Sequence, residues 1–256
     1  MSKLDGALCD IHHIDISVEK NQWLNHMYPL IKLVVTMCFI IIMVSFSKYD
    51  LVGILRMGVY PIVVFVLGEI SFRDALKRIR VIPPIVCLVG VFNPFFDRQP
   101  VMEIAGITVT TGIISMLTLM MKGVYSVLAS YLLIVTTPIE KICHALRLLH
   151  VPVVIVTQIL LTYRYVRLLL NEAHYMIQAY SLRAPNQKGV HFKVWGSLVG
   201  QLLLKSIDRA DEVYASMLLR GYNGEFYYDT KITCRVRDYM YMAVWCMVFF
   251  CLRVIL

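Results

Sequence analysis

Five apolar runs separated by short polar connections decide most of what this 256-residue chain can become. Residues 30–47 are almost continuously apolar, broken only by Lys32 near the start. Residues 51–70 follow at once, with Arg56 and Glu69 among them, after the connection Lys48-Tyr49-Asp50. At about 1.5 Å of rise per residue each run can cross about 30 Å of hydrocarbon, so the two read as a helical hairpin. The third run, 81–96, is shorter and is interrupted by Pro83, Pro84 and Pro94; its length fits either a crossing or a re-entrant segment. Residues 97–103 form a polar loop. Residues 105–137 are long enough to cross with tilt, and residues 239–256 make a last span. Only 16% of residues are charged and the mean hydropathy is +0.68, against about a quarter charged in soluble domains. The fold class expected is an all-α membrane protein with about five transmembrane helices.

Charge then orients the runs. Lys and Arg number 25 against 17 Asp and Glu. Between residues 71 and 80 stand Arg73, Lys77, Arg78 and Arg80 with one acid, Asp74, a positive-inside signal. Residues 140–238 hold 13 of the 25 basic residues and belong on the same, cytoplasmic side. Two inside segments need an even number of crossings between them, which favours counting both 81–96 and 105–137 as spans. The organisation that follows is an N-terminal cytoplasmic segment (1–29), a four-span bundle (30–137), cytoplasmic helices (138–238) and a last span (239–256). The basic residues are dispersed and no nucleic-acid motif accompanies them, so nucleic acid is not an expected partner. The seven cysteines include no CxxC pair, which argues against a disulfide framework. The first 29 residues are polar with an acidic cluster and do not read as a cleavable signal peptide.

The cytoplasmic segment reads as three helices. In 138–150, Ile139, Ile142, Leu146 and Leu149 share a face, and Pro152 suits the first turn of the next helix. That helix runs to Arg183 with Arg164, Arg167, Asn171, His174 and Gln178 in a narrow polar stripe, so most of its circumference must be covered by protein or lipid. It closes on Leu182-Arg183-Ala184, with Pro185 to stop it. The helix within 190–220 puts Trp195, Leu198, Leu202 and Met217 on one side and Lys193, Ser197, Gln201, Lys205 and Asp208 on the other. It closes on Leu219-Arg220-Gly221, where Gly221 suits a left-handed C-terminal cap. Each arginine is either a cation complementing a helix dipole or a docking point. Two long amphipathic helices ending alike favour docking.

No GxxxxGK[ST] phosphate loop, HExxH or GxSxG is present, so no ATP hydrolysis or other catalysis is expected of the chain itself and no catalytic residue is assigned. Cys9, Asp10, His12, His13 and Asp15 are ligand types that suit cobalt or nickel, but a short polar tail is more plainly solvated, and no metal site or cofactor is assigned. His144 and His150 read as helix-surface residues. Arg56, Glu69 and Lys122 are intramembrane polar candidates; Lys122 either snorkels, pairs with an acid such as Glu69, or serves coupling.

At these residues the chain resembles the transmembrane coupling subunit (T component) of energy-coupling factor transporters, a branch of the ATP-binding-cassette importers. Asn25 through Lys32 is similar to that family's approach to its first span. Thr136-Thr137-Pro138 and the stretch 146–152 are similar to its approach to the coupling helices, and Thr162-Tyr163-Arg164-Tyr165 to its tyrosine–arginine stretch. The triplets at Arg183 and Arg220 resemble its paired Ala-Arg-Gly-type motifs, with Leu182 and Leu219 in place of alanine and Ala184 in place of glycine. The layout is most similar to the cobalt and nickel branch, the CbiQ-type subunits. The resemblance implies a multi-pass protein of the bacterial plasma membrane. It further implies two ATP-binding-cassette ATPase subunits as partners, docked at the two arginines, and a separate substrate-binding membrane subunit. The competing expectation is a self-sufficient secondary transporter or channel, which needs an intramembrane polar site and typically inverted repeats; no internal repeat is visible.

Overall fold

The computed structural model describes residues 27–68, 100–104, 107–185, 189–224 and 234–254, with single positions at 75, 84, 88, 90 and 91. Its helices are α1 (Pro29–Ser45), α2 (Leu51–Met57), α3 (Val59–Leu67), α4 (Thr111–Thr136), α5 (Ile139–Leu148), α6 (Val153–Arg183), α7 (Phe192–Leu219) and α8 (Val236–Val254). The expected all-α membrane architecture holds, with one small addition. Strands β1 (Pro100–Ile104) and β2 (Ile107–Thr110) pair antiparallel just before α4. Residues 97–103 were expected as loop and 105–137 as one span, so the helical part of that span starts later, at Thr111. The reason is local: Ile107-Thr108-Val109-Thr110 is a β-branched run that favours an extended backbone, and Pro100 stands first in its strand, where its missing N–H costs no ladder bond. Most of the run 81–96 lies outside the described residues.

The chain falls into two compact units, one drawn from residues 17–138 and 231–256, the other containing 139–230. In the first, α1 shows what a lipid-facing helix looks like. Ile31, Val35, Phe39 and Met43, spaced four apart, are buried, whereas Met37, Ile41 and Val44 on the opposite face are exposed. A helix apolar all round has two apolar neighbours to satisfy, protein on one side and lipid on the other. The α2–α3 pair repeats this. Exposed Val52, Leu55, Val59, Ile62 and Val66 are spaced 3, 4, 3, 4 straight across the break at Gly58, so the two helices present one continuous lipid face. A Cβ at Gly58 would stand 2.8 Å from the Tyr125 hydroxyl, so glycine lets α4 approach here. Packing between such helices comes from van der Waals contact rather than from expelled water. Its centre is aromatic: Phe39, Tyr60, Trp245 and Phe249 bring α1, α3 and α8 together with ring centroids 4.6–5.7 Å apart.

The second unit contains α5, α6 and α7. α5 buries Cys143 and Ala145 and half-buries Ile139, Ile142 and Leu146; Leu149 falls beyond the helix and is exposed. His150 ends α5 with a positive φ of 61°, its N–H on the Arg147 carbonyl and that of Val151 on the Leu146 carbonyl. Two paired bonds of this kind are a Schellman cap, here closed by a residue other than glycine. Pro152 stands one place before the first helical residue of α6 rather than within its first turn.

Candidate functional site

α6 spans 31 residues and α7 spans 28, about 46 and 42 Å. They run in opposite directions through their contact. The start of α6 and the end of α7 line a groove of about 560 Å³ with Leu161, Tyr165, Val213 and Met217, and farther along Lys205 of α7 pairs with Glu172 of α6. The stripe predicted on α6 is present, with Arg167 stacked over the Tyr163 ring at 5.0 Å and Gln178 bonded to His174 at 2.7 Å. The chain itself covers little of α6, which leaves the expected cover to lipid or to other protein. Only Val156 and Thr157 are buried, and Val154, Ile155, Tyr175 and Leu182 are exposed. On α7 the named apolar and polar residues do fall on opposite sides, but the apolar side is only partly covered. Leu198, Leu202 and Met217 are half-buried, while the adjoining Trp195, Val199, Leu203 and Ile207 form an exposed apolar stripe. Surfaces this apolar need lipid or protein from outside the chain.

The helix ends carry the predicted arginines. α6 stops at Arg183; Ala184 follows with φ −130°, its N–H on the Tyr180 carbonyl, so no left-handed residue is used. α7 ends in a Schellman cap: the Gly221 N–H bonds the Leu218 carbonyl at 2.9 Å and the Tyr222 N–H the Met217 carbonyl at 3.0 Å, with Gly221 at φ 80°. The predicted left-handed cap is therefore observed at α7. Both arginines are exposed, and among the described residues neither guanidinium has a hydrogen bond or ion pair within the chain. An arginine serving its own helix would hold the last carbonyls; these do not. Beside them Leu182 is 82% and Leu219 90% exposed. Arg183 lies about 16 Å beyond Glu172, and Arg220 about 22 Å beyond Lys205, in opposite directions, so the two are up to roughly 40 Å apart.

The intramembrane candidates separate. The Lys122 ammonium donates to the Phe46 carbonyl at 2.6 Å and the Val44 carbonyl at 3.4 Å. It thus satisfies the C-terminal carbonyls of α1, as a cation there should. Arg253 joins it, donating to the Ser45 carbonyl at 3.3 Å and stacking over Phe46. Arg56 is exposed on the last turn of α2, and Glu69 lies outside the described residues. Among the described residues no group of three or more His, Cys, Asp or Glu could hold a metal ion; the cluster at Cys9, Asp10, His12, His13 and Asp15 lies outside them. One residue that the sequence flagged only as a break in an apolar run is Lys32, buried on the first turn of α1 with its ammonium on the end of α4.

Residues 20–230 match the family model described as CbiQ, cobalt transport protein. The chain belongs to this family. It is therefore a multi-pass membrane component of the cobalt transport family, a transport subunit rather than a catalytic enzyme. α4 and α6 are each long and apolar enough to cross a membrane, with shorter apolar helices at α1 and α2–α3. Among similar proteins, an uncharacterised protein of Methanocaldococcus jannaschii is 29% identical over 77% of this chain and 70% of its own length. The nickel permease LarQ of Lactiplantibacillus plantarum is 31% identical over 42% of this chain and 40% of its own length. The cobalt transport protein CbiQ of Salmonella typhimurium is 27% identical over 55% of this chain and 67% of its own length.

Proposed function

We propose that this CbiQ-family chain is the coupling and scaffold subunit of an energy-coupling factor importer. In this reading residues 30–137 and 239–256 form the membrane bundle and residues 138–238 the cytoplasmic coupling helices. Two ATP-binding-cassette ATPases bind at Leu182-Arg183-Ala184 and Leu219-Arg220-Gly221. Their cycle moves α6 and α7, and the motion reorients a separate substrate-binding membrane subunit. The cargo class is cobalt or nickel, in line with the names of the permeases from Lactiplantibacillus and Salmonella.

The observation that carries this reading is the pair of exposed arginines, without a hydrogen bond or ion pair among the described residues, on oppositely directed helix ends up to roughly 40 Å apart. One groove cannot hold both. Two separate grooves, one on each of two subunits, can. A guanidinium suits the task because it stays charged and donates in a fixed fork to carboxylates and carbonyls. The exposed apolar stripe of α7 supplies a surface for a membrane partner or lipid.

The test is affinity purification of the tagged chain from its native membrane. ATPase subunits are expected to copurify, and the chain freed of them is expected to release no phosphate from ATP. A chain that purifies alone and conducts ions in liposomes would support a self-sufficient transporter instead.

A further inference from the structure

Lys32 is 6% exposed, in the first turn of α1, where a cation opposes the helix dipole. A buried ammonium is costly unless its donors are met. Here Nζ donates to the Thr136 carbonyl at 2.9 Å and to the Thr137 hydroxyl at 3.4 Å. Thr136 is the last residue of α4, so its carbonyl is one of those the helix leaves unsatisfied. The ammonium therefore sits at the negative end of α4.

One turn farther along α1 the Thr36 hydroxyl donates to the Lys32 main-chain carbonyl at 2.8 Å, within the helix, and lies 3.3 Å from the Tyr60 hydroxyl. The Tyr60 ring packs on Phe39, Trp245 and Phe249. The first two turns of α1 thus hold both the end of α4, through Lys32, and the aromatic centre, through Thr36 and Tyr60. Beyond Pro138 the chain enters α5 and then the helices ending at Arg183 and Arg220. Stability alone does not call for a lysine here, since replacing buried charge by a well-packed apolar group is often neutral or stabilising. A directional bond to one helix end fixes geometry in a way an apolar contact does not.

We propose that Lys32 is a positioning residue that holds the end of α4 on α1, so that movement of the cytoplasmic helices reaches the bundle instead of being lost by bending at the α4–α5 junction. This rests on the coupling reading above. The experiment uses the full transporter in proteoliposomes, with this chain, its ATPases and its substrate subunit. Co²⁺ or Ni²⁺ uptake and ATP hydrolysis are measured in the same vesicles, and the amount of assembled complex is measured alongside. Lys32→Met is expected to assemble and hydrolyse ATP like wild type while uptake per ATP falls by about tenfold, within the usual range of coupling between sites. Thr137→Val is expected to lower the ratio less, and Thr137→Ser to retain it. If Lys32→Met does not assemble, the Thr137 pair decides. An unchanged uptake per ATP, or a loss of uptake and hydrolysis in proportion to the complex present, would overturn the proposal and leave Lys32 a stabilising contact. Wild-type chain that assembles with no ATPases would sink the coupling reading itself, and with it this inference.

Discussion

If the chain is the proposed coupling subunit, reversing both helix-end arginines, Arg183→Glu with Arg220→Glu, is expected to abolish ATPase binding while leaving the membrane fold intact. Neither guanidinium makes a bond within the chain among the described residues, so little is lost by removing them. Exposed changes of this kind stay within about 0.5 kcal/mol. A negative charge at a helix C-terminus adds about 0.3–1 kcal/mol at each end, reduced by salt. At a docked interface, losing a buried hydrogen-bonded charge contact costs about 2–5 kcal/mol. The separation of up to roughly 40 Å far exceeds the range over which such effects couple. The two losses should therefore add, to about 4–10 kcal/mol, or roughly three to seven orders of magnitude in affinity. Each single reversal should be milder, since the other contact holds. The assay is pull-down of ATPase subunits beside metal-ion uptake, at equal membrane abundance. Wild-type pull-down and uptake by the double variant would refute the reasoning and leave both arginines as ordinary helix-end cations.

Three further outcomes follow from the geometry. Gly221→Ala puts a Cβ at φ 80° and should cost about 1–2 kcal/mol, whereas Gly196→Ala, in α7 with open space around it, should stabilise by up to about 1 kcal/mol; opposite shifts in the melting temperature of the purified chain check this. Lys122→Met removes the donor to the Val44 and Phe46 carbonyls and should lower the melting temperature, with uptake per folded complex unchanged; a selective loss of uptake would instead give Lys122 a coupling role. The Cys143 thiol is held above the ordinary thiol range, first by burial and then by Glu140, so its alkylation should be slow at neutral pH and accelerate only at more alkaline pH than for an exposed thiol. With the folded value raised, its contribution to stability is present below the ordinary thiol pKa and is lost as pH rises through the folded one; a reaction rate equal to that of an exposed model thiol at about pH 7.5, below the ordinary thiol pKa, would contradict this.

The helix ends were legible because their chemistry is local. Pro185 stops α6, and Gly221 alone suits the left-handed residue that closes α7. The spans of α1 and α2–α3 were legible from length and composition, but not which side of each faces the bundle. Ile31 and Ile41 look alike in sequence, because lipid and protein interior both select apolar side chains. The β1–β2 hairpin was hidden inside an apolar stretch, although the alternation in Ile107-Thr108-Val109-Thr110 was a signal for it. Lys122 and Lys32 were visible as charges in apolar runs. Their partners, the ends of α1 and α4, are fixed by tertiary packing across many residues, which no spacing rule reaches. For α6 the sequence demanded cover by protein or lipid around most of its surface, and the chain itself covers only its start, at Val156 and Thr157.

The most direct test of the coupling account is the native mass of the complex purified through this chain. The account predicts one copy of the chain with two ATP-binding-cassette subunits and a substrate-binding membrane subunit, and loss of both ATPases in the Arg183→Glu, Arg220→Glu variant. A complex whose mass contains this chain alone, or a single ATPase retained regardless of either arginine, would contradict it.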